Sequence, residues 1–126
     1  MKRILLVEDD LLAARASQRR LEEAGYEVEC ALDGEEALHK VHNGCYLVVL
    51  DLLLPKVDGW EVLEKLKNHD GTKHIPVVVC TVLDGEDYRQ RAQKFGADAY
   101  INKFNDDLVA EVNRILGGGI EEIFTD

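Results

Sequence analysis

Five short strand-like runs, each followed by a stretch with helical periodicity, constrain this chain more than any other feature. The runs are RILLV (3–7), EVEC (27–30), YLVVL (46–50), VVVCT (77–81) and AYI (99–101). Runs this short and rich in β-branched residues predict strands. YLVVL is apolar on both faces, as in the middle of a parallel sheet covered by helices on both sides. The intervening stretches predict helices over about 11–24, 33–44, 58–68, 84–95 and 106–116. Three of them open on Asp-Gly with an acid three residues after the Asp (DGEE, DGWE, DGED), which is helix-capping chemistry. Gly25, Gly44, Gly96 and Gly117-Gly118-Gly119 supply stops. Five βα units in series imply an α/β fold, a doubly wound sheet with right-handed crossovers.

At 126 residues the chain is one domain in size. Residues 1–119 are expected to form it, with 120–126 a short acidic tail or linker. No apolar run approaches the roughly 20 residues of a membrane span. Ile4 to Val7 is too short for a signal-peptide core and no small-residue cleavage site follows, so a cytoplasmic chain without membrane contact is expected. Net charge is −10, from 15 basic and 25 acidic residues. Such a surface repels a phosphate backbone, so no direct nucleic-acid binding is expected, and a cation or a basic partner fits better. The three cysteines are odd in number and far apart, which argues against a disulfide framework or a zinc site. Cys30 and Cys80 read as core residues.

Ligands of open α/β sheets bind beyond the carboxyl ends of the strands. The first strand ends in Glu8-Asp9-Asp10, the third in Asp51, the fourth in Thr81, and Lys103 follows the fifth. Acids, one hydroxyl and one ammonium therefore share a rim. Clustered carboxylates repel one another unless a cation sits between them. Oxygen ligands without His or Cys suit a hard ion such as Mg²⁺. Lys and Thr beside that ion can hold a phosphoryl group, and the remaining carboxylate can be the nucleophile. Asp10 also reads as a helix N-cap.

These residues, in the pieces ILLVEDD (4–10), VVLDLLLPKVDGW (48–60), VVVCT (77–81) and AYINK (99–103), resemble a response regulator receiver domain. The resemblance covers residues 1 to about 116. It implies a flavodoxin-like (βα)5 sandwich with a five-stranded parallel sheet of order 2-1-3-4-5. It implies a cytoplasmic two-component or phosphorelay switch that takes a phosphoryl group from a phosphohistidine onto Asp51, catalysing only its own phosphorylation and dephosphorylation. Asp9, Asp51 and the backbone carbonyl of Leu53 would hold Mg²⁺, with Glu8 helping through a water. Lys103 would neutralise phosphoryl oxygens. Thr81 would move to hydrogen-bond the phosphoryl group, and Tyr100 would turn inward with it. The implied output face is the fourth helix, fifth strand and fifth helix. The implied partners are a sensor histidine kinase or histidine phosphotransfer protein, a downstream output domain or protein, and a second copy as a homodimer option. Pro55 and Gly59 fit the family's loop after the phosphoacceptor.

The chain departs from the family pattern at four places. Phe104 follows Lys103 where the family usually has a cis-linked Pro, so either a trans bond with a shifted loop or a strained cis bond is expected. Val82, a branched residue beside Thr81, is expected to narrow access to Asp51. Leu53 and Leu83, two places beyond Asp51 and Thr81, are expected to exclude an attacking water and prolong the phosphoryl lifetime. An alternative reading is a pseudo-receiver, a protein-binding module without phosphotransfer. A haloacid-dehalogenase-like phosphatase is disfavoured by Leu53, which stands where a second Asp is needed. A flavodoxin-like cofactor binder is disfavoured because Glu8-Asp9-Asp10 would repel a phosphate. His39 and His42, three apart on one helix, read as surface residues for want of a third ligand. Leu12 reads either as core or, with Leu11 and Ala14, as part of a docking face. Trp60 reads as packing. Arg89, Arg91 and Lys94 read as a solvated face, with a dimer contact as the other option.

Overall fold

In the computed structural model, which describes residues 1–119, strands and helices alternate without exception. The strands are β1 (Arg3–Val7), β2 (Glu27–Ala31), β3 (Leu47–Leu50), β4 (Val77–Thr81) and β5 (Ala99–Asn102). The helices are α1 (Leu11–Glu23), α2 (Gly34–Lys40), α3 (Gly59–Asn68), α4 (Glu86–Lys94) and α5 (Leu108–Leu116). All strand pairs are parallel, in the order β2-β1-β3-β4-β5. The fold class is the one the apolar pattern implies, and the strand order is the one the family resemblance implies. The expected tail at 120–126 lies outside the described residues.

Side chains of a strand alternate between faces, and the core divides accordingly. Leu5, Val7, Val48, Leu50, Val77 and Val79 pack with Val62, Leu63 and Leu66 of α3 and with Ala37 and Ala92 of α2 and α4. On the other face Ile4, Leu6, Leu47, Val49, Val78 and Ile101 meet Ala14 and Leu21 of α1 and Leu108 and Val112 of α5. β3 and β4 are buried along their whole length. β2 lies at the sheet edge and buries only Ala31. This corrects the reading of Cys30, which is half-buried and donates its thiol to Gln18 at 3.4 Å. Cys80 is in the core as expected, and burial pushes its thiol up to about 11.

Helix starts follow side-chain chemistry. Asp10, Asp33, Asp58 and Asp107 each accept backbone N–H groups of the first turn as N-caps. α4 differs from expectation. Its cap is Gly85 (φ 128°) with no side-chain bond, because the Asp84 carboxylate accepts instead from the Gly85 N–H at 2.9 Å. α2 ends at Lys40, short of Gly44, and residues 41–44 form turns.

Gly59 is what lets α3 close against the end of β3. A Cβ there would lie 2.3 Å from Leu52 Cα and 2.4 Å from the Asp51 carbonyl oxygen, so no side chain fits. Its N–H donates to the Leu52 carbonyl at 3.0 Å. The residue after β3 is thereby fixed between a buried strand and a helix start.

Candidate functional site at the carboxyl edge of the sheet

Glu8, Asp51 and Lys103 directly follow β1, β3 and β5, so parallel register brings them to one edge. Glu8 and Asp51 are 4% and 5% exposed, unusually buried for carboxylates. The Lys103 ammonium bridges them. Its Nζ lies 2.6 Å from Asp51 Oδ2 and also donates to Glu8 Oε1. Asp51 Oδ1 accepts the Leu53 N–H at 3.1 Å. Both oxygens of Asp51 are therefore oriented by fixed donors.

One lysine does not balance this pocket. Burial raises the Glu8 carboxyl above its ordinary range; the Lys103 ammonium opposes this and the nearby Asp51 carboxylate adds to it. Burial works against the Lys103 ammonium, but its bonds to Asp51 and Glu8 outweigh that and hold its pKa above the usual lysine value. Glu8 Oε2 is buried and has no hydrogen-bond partner. Such an atom costs free energy unless something electropositive meets it. Glu8, Asp9 and Asp51 each offer a carboxylate oxygen within 4.8 Å of the other two, and Asp9 is exposed to the solvent side. An orphaned carboxylate oxygen beside an all-oxygen donor set fits a small hard cation. Asp10 stands apart, because its carboxylate caps α1 through the N–H groups of Leu12 and Ala13.

Thr81 is fully buried at the end of β4, and its Oγ1 accepts the Leu83 N–H at 3.3 Å. Tyr100 donates its hydroxyl to the Leu83 carbonyl at 2.6 Å. The two side chains thus hold the same residue from its two backbone ends. Arg89 of α4 lies over the Tyr100 ring, 5.0 Å from its centroid, and donates to the Tyr100 carbonyl at 2.9 Å. The Leu83 backbone and Arg89 were not singled out as partners of Tyr100 from sequence. Backbone contacts leave no mark on residue type, and Arg89 read as a solvated cation. Arg89 and Arg91 are both exposed, as a solvated face requires, and Arg91 also stacks 4.2 Å over the Trp60 ring. Trp60 packs edge-on against Phe95 at 5.6 Å, joining α3 to α4.

The peptide bond between Lys103 and Phe104 is trans, one of the two expected outcomes. Asn102 organises the turn by accepting the N–H groups of Phe104 and Asn105 at 2.9 and 3.2 Å. The loop keeps Lys103 aimed at Asp51 and leaves Phe104 80% exposed. Leu12 is 82% exposed, which removes it from the core, and Leu11, Leu53 and Val82 are exposed too. Leu83 is half-buried against the core.

A doubly wound five-stranded sheet with two buried carboxylates bridged by one lysine at its carboxyl edge defines the receiver class of signalling modules. The chain belongs to the response regulator receiver domain family, whose profile matches residues 4–113. It is 38% identical over 120 residues to the transcriptional activator protein IrlR of Burkholderia pseudomallei, covering 93% of this chain and 51% of IrlR. It superposes on a CheY-like response regulator receiver domain protein from Methanospirillum hungatei with a TM-score of 0.84 at 32% identity, covering 93% of this chain and 94% of that one. Against the receiver domain of Francisella response regulator 1452 the TM-score is 0.87 at 28% identity, covering 93% and 98%. The chain spans about half the length, or less, of the curated relatives it matches. Members of this family act in two-component signalling as modules rather than as conventional enzymes. No helix among the described residues is long and apolar enough to cross a membrane.

Proposed function

We propose that this chain is a working phosphoacceptor switch, with Asp51 the residue modified. The observation that carries the reading is the Asp51 carboxylate itself: buried, held on one oxygen by the Leu53 N–H and on the other by Lys103. An Asp51 oxygen attacks the phosphorus of a phosphohistidine, the P–N bond breaks, and the imidazole leaves with its electron pair and takes a proton. Two negative charges then meet at one place, and Lys103 neutralises phosphoryl oxygens without having to move far. Asp9, Asp51 and the Leu53 carbonyl would hold Mg²⁺, with Glu8 helping through a water; the unpartnered Glu8 Oε2 and the carboxylate cluster support that assignment. When bound, the ion neutralises charge on the phosphoryl group as it transfers. Phe104 is the one feature that would favour a binding module without phosphotransfer, yet Lys103 still reaches Asp51, which supports the competent reading.

Switching follows from the Leu83 contacts. Thr81 Oγ1 turning toward a phosphoryl oxygen gives up its Leu83 N–H bond, and Leu83 also carries the Tyr100 hydroxyl. A charge added at Asp51 is thereby felt by α4, β5 and α5. The partners that fit are a sensor histidine kinase or histidine phosphotransfer protein, approaching over exposed Leu11, Leu12 and Phe104, and a downstream output domain or protein. A cytoplasmic location goes with this role. Leu53 and Leu83 slow attack by water and lengthen the phosphoryl lifetime.

The test is intact mass after incubation with acetyl phosphate and Mg²⁺, beside Asp51→Asn. One added phosphoryl group, absent in the variant and without Mg²⁺, is the expected result. No adduct, together with failure to form a beryllofluoride complex, would move the chain to the pseudo-receiver class.

A further inference from the structure

His42 follows the last turn of α2 and His69 is the C-cap of α3. They are far apart in sequence, yet their rings meet edge to face, with centroids 6.0 Å apart and planes at 90°. Each helix of a βα unit returns from the carboxyl edge of the sheet to its amino edge. The pair therefore sits at the opposite end of the fold from Asp51. Beside it, between α2 and α3, lies a cavity of about 420 Å³ floored by Leu38, Val41 and Leu66. Both residues are exposed.

We propose that His42 and His69 together bind a divalent first-row transition-metal ion such as Zn²⁺. Imidazole nitrogen is a preferred ligand of zinc, copper and nickel, whereas the all-oxygen pocket at Asp51 suits Mg²⁺. An ion about 2.1 Å from one nitrogen of each ring places the two centroids about 5 Å apart at the tetrahedral angle, so closure by about 1 Å with ring rotation suffices. The adjoining cavity leaves room for the waters that complete the coordination shell. His39 lies one turn earlier on α2 and is not needed. The ion ties the ends of α2 and α3 together, and by the Irving–Williams order Cu²⁺ binds more tightly than Zn²⁺.

The experiment is calorimetric titration of the full chain with ZnCl₂ in excess Mg²⁺, which occupies the acidic pocket, with amide chemical shifts followed in parallel. Saturable one-to-one binding is expected, with shifts centred on the ends of α2 and α3. His42→Ala and His69→Ala should each weaken it about 100-fold, because each removes one arm of a chelate. His39→Ala and His74→Ala should leave it unchanged. All four side chains are exposed, and circular dichroism checks that each variant is folded. No saturable binding, equal loss in His39→Ala, or shifts confined to the Glu8–Asp51 pocket would overturn the site.

Discussion

Replacing Lys103 by Met keeps the aliphatic stem and removes the charge that joins Glu8 to Asp51. The side chains involved are 18%, 5% and 6% exposed, so solvent does little to screen the loss. Breaking a buried ion pair by removing one partner costs about 3–5 kcal/mol. Here protonation sets a ceiling. Glu8 is already held above its ordinary range, and without Lys103 it takes a proton rather than remain charged beside Asp51. Protonating a carboxyl of ordinary pKa about 4.3 costs 1.36 kcal/mol per pH unit, hence about 3.7 kcal/mol at pH 7 and about 1 kcal/mol at pH 5. In that window the native variant binds more protons than its unfolded state, so its deficit relative to wild type shrinks as pH falls. Urea unfolding in Mg²⁺-free buffer should show a loss of about 3 kcal/mol at pH 7, or about 10 °C in Tm. At pH 5 the loss should be about 1 kcal/mol. A loss of the same size at both pH values, or none at pH 7, would refute the claim that Lys103 stabilises the fold by neutralising this pocket.

Asp51→Asn leaves the Lys103–Glu8 pair balanced and should raise the unfolding midpoint in Mg²⁺-free buffer, the opposite sign to Lys103→Met; a lower midpoint would contradict this. Mg²⁺ at about a hundred times its Kd should stabilise the wild type by about 2.7 kcal/mol, an effect lost in Asp9→Asn, as differential scanning calorimetry can read. Gly59→Ala forces a Cβ into the backbone of Leu52 and Asp51 and should cost about 3 kcal/mol by urea unfolding, with phosphorylation impaired. The Leu53→Asn, Leu83→Glu double variant should lose its phosphoryl group faster than wild type when decay is followed by mass; equal rates would dismiss water exclusion by the two leucines.

The five βα units, both sheet faces and the convergence of Glu8, Asp51, Thr81 and Lys103 follow from features visible in the sequence, whereas the strand order follows from the family resemblance and not from the pattern of apolar runs. Apolar runs set the strands, and parallel register brings their terminal residues to one edge. Less legible were features that depend on what a side chain meets. Cys30 reads as a core residue, but β2 alternates with Glu and lies at the sheet edge, which leaves Cys30 half-buried. Leu12 has a core residue's chemistry and points to solvent, because Ala14 and Leu21 already fill the side of α1 that meets the sheet. Asp84 resembles the other Asp-Gly caps, yet it bonds the next N–H and leaves α4 to Gly85. The joint hold of Thr81 and Tyr100 on Leu83 uses backbone atoms that any residue supplies. His69 joined His42 only through the packing of α2 on α3.

The central claim is that a phosphoryl group resides on Asp51. Borohydride reduction of the phosphorylated chain converts an aspartyl phosphate to homoserine, and peptide mass mapping locates the converted position. Homoserine at position 51 alone, dependent on Mg²⁺ and phosphodonor, is the expected result. Conversion at Asp9 or at any other carboxylate, with residue 51 recovered as aspartate, would contradict it.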